Sequence, residues 1–150
     1  MMNNKNSLTA KKKFKIENKG SITSKRALHM AEDLSWNYGE DVVIYDVREQ
    51  SPFVSYYIVA SAANDHRLGI LQTSAKDTIF DNYQEVKHTE GRNDSKWILI
   101  DAGAFVLQLF TKEERERVQF DALYRNVPHK IVKAEKEPVF RRKKKPVFNK

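Results

Sequence analysis

The sequence has 150 residues, a formal net charge of +7 and no cysteine. This length allows one domain with a hydrophobic core and excludes two domains of ordinary size. The lack of cysteine excludes disulfide frameworks, thiolate zinc sites and cysteine nucleophiles. It is typical of a protein that works in a reducing cell compartment. No apolar run approaches the roughly 20 residues that cross a bilayer, and the amino-terminal residues lack the apolar stretch of a signal peptide. We therefore expect a cytoplasmic protein without membrane contact.

The positive charge is confined to the two ends of the chain. Residues 1–20 carry six lysines and one glutamate, and residues 129–150 carry nine lysines or arginines and two glutamates. Their net charges are +5 and +7, which leaves −5 for residues 21–128. We predict a basic flexible tail over 1–22, an acidic folded domain over 23–128 and a basic disordered tail over 129–150.

The folded part is predicted to begin with an amphipathic helix. Thr23 or Ser24 can cap it, because their hydroxyls accept hydrogen bonds from the free amides of a first turn. Apolar residues then recur at helical spacing up to Tyr38, and Gly39 is placed to end the helix.

Two short runs rich in β-branched and aromatic residues, 41–47 and 55–62, predict strands. Asn64 can cap a second helix that extends to about Asp81, and the run 83–90 predicts a third strand. A helix of this length between two strands favours a crossover that sets the second and third strands parallel. The sheet is therefore predicted to be mixed.

The most apolar stretch, 95–110, predicts a hairpin. Strand-forming residues flank a short link in which Gly103 can adopt positive φ. Thr111 lies three residues before Glu114, the spacing of a capping box, so a last helix is expected there. We thus predict an α/β fold of the α+β type, with a mixed five-stranded sheet flanked by helices. The exposed hairpin edges would allow the free protein to form a homodimer.

The sequence carries none of the common catalytic signatures. The sequence has no P-loop, no G-x-G-x-x-G and no G-x-S-x-G motif. The four histidines are His29, His66, His88 and His129. They lack the spacing of metal ligands. Asp41 and Asp46 flank the first strand and could hold Mg²⁺, but five positions apart they project to opposite faces. We predict no catalytic residue, metal or cofactor.

A cationic run near the carboxyl terminus indicates RNA binding. Its members are Arg141, Arg142, Lys143, Lys144 and Lys145, between two copies of Pro-Val-Phe. Lysine and arginine release counterions when they meet phosphates, and phenylalanine stacks on unpaired bases. The alternative is a solvated end that only adds solubility.

The region around the hairpin resembles a known family. Glu90-Gly91, WILID (97–101), Gly103 and the apolar run to Phe110 are similar to the signature of the ribosomal silencing factor family, also called the Iojap-related family. DVVIYDVRE and SYYIVASA, followed by Asp65-His66, resemble its first half, and Phe120, Leu123 and Tyr124 occupy large apolar positions of its last segment. The resemblance covers about residues 24–127. The sequence departs from the family at Ala102, Ala104 and Gln108, where an aromatic residue, aspartate and histidine are usual.

The resemblance implies a nucleotidyltransferase-like fold without the catalytic residues, and no enzymatic activity. It implies a translation repressor that binds the large ribosomal subunit through ribosomal protein L14 and sterically keeps the small subunit from joining. Two alternatives remain: a nucleotidyl- or phosphoryl-transfer enzyme on the related fold, and a small RNA-binding protein that acts through its basic tails.

Trp97 is the first candidate for partner contact. A buried indole needs an acceptor for its N–H, whereas an exposed one offers a rigid amphipathic surface. In the resembled family the tryptophan at this position docks on the ribosomal protein, which favours exposure. The predicted partner-binding residues are Trp97, Asp101, Phe105, Phe120, Leu123 and Tyr124. For Asp101 the alternative is a turn residue that accepts backbone amides. An acidic body suits a basic ribosomal protein, and basic tails suit neighbouring rRNA.

Overall fold

The computed structural model describes residues 14–91 and 94–138, which form four helices and six strands. The helices are α1 (Lys25–Trp36), α2 (Asp65–Asp81), α3 (Lys112–Val118) and α4 (Phe120–Leu123). The strands are β1 (Glu40–Asp46), β2 (Tyr56–Ala62), β3 (His88–Glu90), β4 (Trp97–Asp101), β5 (Phe105–Thr111) and β6 (His129–Val132). Among the described residues, no helix has the length and apolarity needed to cross a membrane.

The strands form one sheet in the order β3-β4-β5-β2-β1-β6. β2 and β5 are parallel and the other neighbours are antiparallel. The predicted mixed sheet flanked by helices is therefore confirmed, with six strands in place of five. The second and third strands run parallel, as expected, but they are not neighbours: β2 pairs with β5, and β3 lies at the far edge. A strand in the position next to β2 is buried on both faces of the sheet. The fully buried β5 suits this position, whereas the polar β3 does not.

The sixth strand lies in the segment predicted to be a disordered tail. β6 pairs with β1, and on its outer edge His129 and Lys19 exchange backbone hydrogen bonds of 2.7 and 2.9 Å. The amide of Ile131 donates to Asn18 Oδ1 at 2.7 Å. The fold therefore extends beyond the predicted boundaries on both sides, because a segment with little apolar surface of its own gains order by pairing with an existing strand. Residues 1–13 and 139–150 lie outside the described residues.

The predicted starts of the helices are confirmed. Ser24 Oγ accepts from the amide of Ala27 at 3.1 Å, and Asn64 Oδ1 accepts from that of Arg67 at 2.8 Å. Thr111 Oγ1 accepts from the amide of Glu114 at 3.3 Å, as the capping-box spacing predicts.

α2 ends at Asp81 as predicted, whereas the ends of α1 and of the last helix differ from the prediction. After α1 the left-handed residue is Tyr38, with φ of 73°, and not Gly39. The last helix is broken at Gln119, whose φ of 54° separates α3 from α4. This break turns α4 back over the sheet.

The two faces of the sheet are covered unequally. α1 and α2 pack on what we call the helical face, where the larger core includes Met30, Leu71 and the inward side chains of the strands. On the opposite face, called here the open face, a smaller core includes Tyr45, Phe110 and Phe120. From outside the strands, this smaller core and its partly buried neighbours receive Val118 of α3, Phe120 of α4 and the loop residues Ile16, Val47, Val54, Tyr124 and Val127.

Side-chain alternation assigns the hairpin residues to these faces. Ile98 and Ile100 belong to the core of the helical face, so Trp97, Leu99 and Asp101 lie on the open face. The sequence could not determine which half of the alternation faces inward.

Candidate protein-docking surface

Trp97 begins β4 on the open face and is held there by specific contacts. Its ring centroid lies 4.8 Å from that of Phe110 and 6.3 Å, edge-on, from that of Phe120. The indole Nε1 donates to Gln108 Oε1 at 2.9 Å. The residue nevertheless remains 38% exposed. The indole thus has its polar group satisfied within the fold and its apolar ring available to a partner.

Gln108 is one of the three departures from the family pattern. Its side chain is buried on the open face, and its amide oxygen accepts the hydrogen bond of the indole. The residue at this position therefore orients the tryptophan. Ala102 is buried against the helical-face core and Ala104 is exposed in the hairpin link.

An aromatic cluster continues the surface towards α4. Phe120 is 3% exposed, and its ring centroid lies 4.9 Å from that of Tyr124. Tyr124 also packs edge-on against Tyr57 at 5.4 Å. Burial is the main cause, and the neighbouring Tyr57 a smaller one, that raises the pKa of Tyr124 to about 12. Its hydroxyl therefore stays neutral at physiological pH. Leu123, on the same helical turn, is 72% exposed. Phe120 therefore supports the surface, while Leu123 is available for contact.

A buried ion pair fixes the position of α4. Arg115 donates from Nε and Nη2 to the two carboxylate oxygens of Asp121 at 2.8 and 2.9 Å. Its Nη1 donates to the carbonyl of Asp41 at 2.7 Å and to Ser61 Oγ at 2.9 Å. The hydroxyl of Tyr45 donates to the same carboxylate, and burial together with this carboxylate raises the pKa of Tyr45. The turn between α3 and α4 is thereby tied to β1 and β2.

Sequence reasoning missed this ion pair. Arg115 and Asp121 stand among other charged residues of the predicted last helix, and no local pattern distinguishes them from those neighbours. Their burial depends on the break at Gln119, for which the sequence offers no glycine or proline as a signal.

Asp101 and Phe105 were predicted to join the surface and lie elsewhere. Asp101 Oδ1 accepts from the amide of Gly103 at 2.8 Å, so it stabilises the hairpin turn. It lies on the open face, but at the opposite end of β4 from Trp97. Phe105 is buried on the helical face and stacks on Tyr56 at 5.9 Å, because alternation along β5 places it with the inward side chains. The predicted RNA-binding residues Arg141, Arg142, Lys143, Lys144 and Lys145 fall outside the described residues.

The acidic pair considered for magnesium does not form a shared site. Asp46 is held by Arg48, which donates to its two carboxylate oxygens at 2.9 and 2.7 Å and lowers its pKa. Asp41 is exposed at the other end of β1. Across residues 14–91 and 94–138 there is no group of three or more histidines and carboxylates arranged to hold a metal ion.

The charges beside the indole favour a basic partner. Lys96, next to Trp97, contacts Asp65 at 2.5 Å. Arg117 donates to Glu114 through two bonds of 2.9 and 2.7 Å and lowers the pKa of that carboxyl group. Glu113 and Glu116 are exposed on the same helix. These cations are thus paired with carboxylates, and further carboxylates face solvent.

A rigid, accessible indole and an exposed leucine, next to acidic side chains, define a surface of the class used for docking on another macromolecule. The family model described as "Ribosomal silencing factor during starvation" matches residues 21–149. The chain belongs to the ribosomal silencing factor family. The matched range also includes most of the segment that was predicted to be a separate tail.

Individual relatives agree with this assignment. The chain is 27% identical over 89 residues to the ribosomal silencing factor RsfS of Bacillus subtilis, which covers 59% of this chain and 75% of the relative. It is 25% identical over 99 residues to that of Haemophilus influenzae, with 63% and 93% covered.

Solved structures share the fold. A crystal structure from Chromobacterium violaceum matches with a TM-score of 0.64 and 19% identity, covering 80% of this chain and 92% of that one. One from Bacillus halodurans matches with a TM-score of 0.61 and 21% identity, covering 73% and 100%.

Proposed function

We propose that this protein binds the large ribosomal subunit through ribosomal protein L14 and represses translation by blocking the small subunit sterically. The single observation that carries the proposal is the state of Trp97: its N–H is satisfied by Gln108 while its ring remains exposed. Such a side chain contributes apolar contact area on binding with little loss of conformational entropy.

The contact surface consists of Trp97, Leu123 and Tyr124, with Phe120 beneath them. Asp101 acts in our proposal as a turn residue that fixes the hairpin and so keeps β4 in register. Phe105 is excluded from the contact by its place on the helical face. Since no bond is made or broken, the protein needs neither catalytic residues nor a cofactor, and it acts in the cytoplasm, where ribosomes assemble.

The charge distribution supports different partners for the folded body and for the basic carboxyl-terminal segment. The acidic body, with −5 over residues 21–128, is attracted to a basic ribosomal protein. The basic run Arg141–Lys145 is attracted to rRNA next to the docking site. Removal of residues 139–150 should therefore flatten the salt dependence of binding to large subunits. Identical salt slopes with and without this segment would remove the rRNA contact from the proposal.

The test of the docking surface is co-sedimentation with separated large subunits, followed by a subunit-joining assay. Trp97→Ala should lose most of the binding and the inhibition of joining, because truncation of a central hot spot costs about 2 kcal/mol or more. Phe53→Ala is the matched control: this phenylalanine is 85% exposed on the loop between β1 and β2, and its loss should change neither readout.

Two results would contradict the proposal. One is full activity of Trp97→Ala in both assays. The other is magnesium-dependent turnover of a nucleoside triphosphate that disappears when Asp41 or Asp46 is replaced, since this would indicate a transfer enzyme.

A further inference from the structure

Both long helices end in the same unusual way. α1 is followed by Asn37 and Tyr38, and α2 by Asn82 and Tyr83. Each asparagine is the C-cap, and each tyrosine has a left-handed backbone, with φ of 73° and 63°. Glycine or asparagine is usual in this conformation, and a bulky residue there is an outlier that often marks a functional position.

Each of these tyrosines is exposed, and an arginine of the other helix packs over its ring. The Cζ atom of Arg67 lies 4.5 Å from the ring centroid of Tyr38, and that of Arg26 lies 5.3 Å from the ring centroid of Tyr83. The two tyrosines are 66% and 62% exposed. Neither ring fills the core, so packing does not account for a tyrosine at either strained position.

An exposed pair of guanidinium and aromatic planes is a surface on which unpaired bases stack. One pair stands at each end of the antiparallel helices. Arg67 and Tyr83 are separated by about 24 Å of helix, so one extended strand of several nucleotides would reach both pairs. Base stacking is tolerant of sequence, and this arrangement would select single strands over duplexes.

The last described residues pass beside the end of α1. After β6, the amide of Ala134 donates to Ser35 Oγ in the last turn of α1, at 2.9 Å. Residues 139–150 follow and carry six cations without an acidic residue. α1 and α2 expose four cations, Lys25, Arg26, Arg67 and Lys76, and two carboxylates, Asp65 and Asp77, while Glu32 is partly exposed. Asp65 is paired with Lys96.

We propose that the helical side of the protein binds single-stranded rRNA, with the Tyr38–Arg67 and Tyr83–Arg26 pairs stacking on unpaired bases. A protein partner on the open face and an RNA on the opposite side then hold the factor from two directions. The identity of the RNA as rRNA rests on the proposed function, whereas the stacking itself does not.

The test uses substitutions that remove the rings without damage to the fold. Tyr38→Asn and Tyr83→Asn place a residue that accepts the left-handed backbone, so the double variant should unfold at the same or higher urea concentration than wild type. Its affinity for a short single-stranded RNA of mixed sequence should fall about tenfold per ring. The salt slope should stay unchanged because stacking releases no counterions, whereas removal of 139–150 should flatten it.

Unchanged RNA affinity in the double variant would overturn the inference, as would equal affinity for a duplex of the same length. Phe53→Asn is the control for an exposed aromatic ring outside the two pairs and should keep full affinity. Trp97→Ala should bind the oligonucleotide normally and lose binding to purified ribosomal protein L14. If wild type does not bind that protein but loss of the tyrosines lowers RNA affinity, the proposed function fails and this inference stands. If wild type binds that protein but loss of the tyrosines leaves RNA affinity unchanged, the proposed function stands and this inference fails.

Discussion

The indole of Trp97 donates its hydrogen bond across the hairpin to Gln108, at 2.9 Å. The two residues are diagonal neighbours on one face of β4 and β5, since Trp97 is opposite Phe110 and Gln108 is opposite Leu99. The side chain of Gln108 therefore orients the indole of Trp97.

Gln108→Leu should impair docking while Trp97 itself is retained. The variant leaves the partly buried indole N–H without its acceptor, which costs about 1–3 kcal/mol. We expect reduced stability in urea and roughly tenfold weaker co-sedimentation with large subunits. Gln108→His, which restores an acceptor and the residue usual in the family, should recover most of the binding. Equal binding of the leucine and histidine variants would refute the orienting role.

Leu123→Ala should separate binding from stability. Because this side chain is 72% exposed, its truncation should change the free energy of unfolding by less than about 0.5 kcal/mol. Binding to the large subunit should weaken by about 1–2 kcal/mol if it contacts the partner. Ile131→Ala is the control, since this residue is 39% exposed on the edge strand β6. Equal affinities of the two variants, measured by sedimentation, would place Leu123 outside the interface.

Asp121→Asn should destabilise the protein. The substitution leaves the buried guanidinium of Arg115 without its counter-charge, and loss of one partner of such a pair costs about 3–5 kcal/mol. Urea unfolding followed by circular dichroism measures the change. The double variant Arg115→Met with Asp121→Leu should recover part of the loss, because no unpaired charge remains. A double variant that is less stable than Asp121→Asn would contradict this account.

Asp46 should contribute to acid sensitivity. The hydrogen bonds from Arg48 lower its pKa in the folded state below the value of about 3.9 in an unfolded chain. Its contribution to stability is therefore complete above about pH 4 and is lost as the pH falls through the folded pKa. In urea unfolding across pH 2 to 6, roughly the range of this titration, Asp46→Asn should show a shallower acid decline than wild type. Glu49→Gln serves as the control, and a parallel decline in both Asp46→Asn and wild type would exclude the contribution.

The sequence alone determined the features that depend on near neighbours along the chain. Ser24, Asn64 and Thr111 were predicted as helix caps from their hydroxyl or amide oxygens and the residues after them, and each accepts the expected amide. The hairpin followed from two strand-forming runs around Gly103, whose φ is 87°. Trp97 was proposed as a docking residue from its place in the resembled motif, and that role stays a prediction.

The tertiary structure decided what depends on residues far apart. Local periodicity shows that strand residues alternate but not which half faces inward, so only packing placed Trp97 on the open face and Phe105 on the helical face. The partner of β2 was set by burial on both sides of the inner strand, and β6 was ordered by pairing with β1. The bond between Arg115 and Asp121 likewise exists only because the chain breaks at Gln119 and brings both charges under one aromatic cluster.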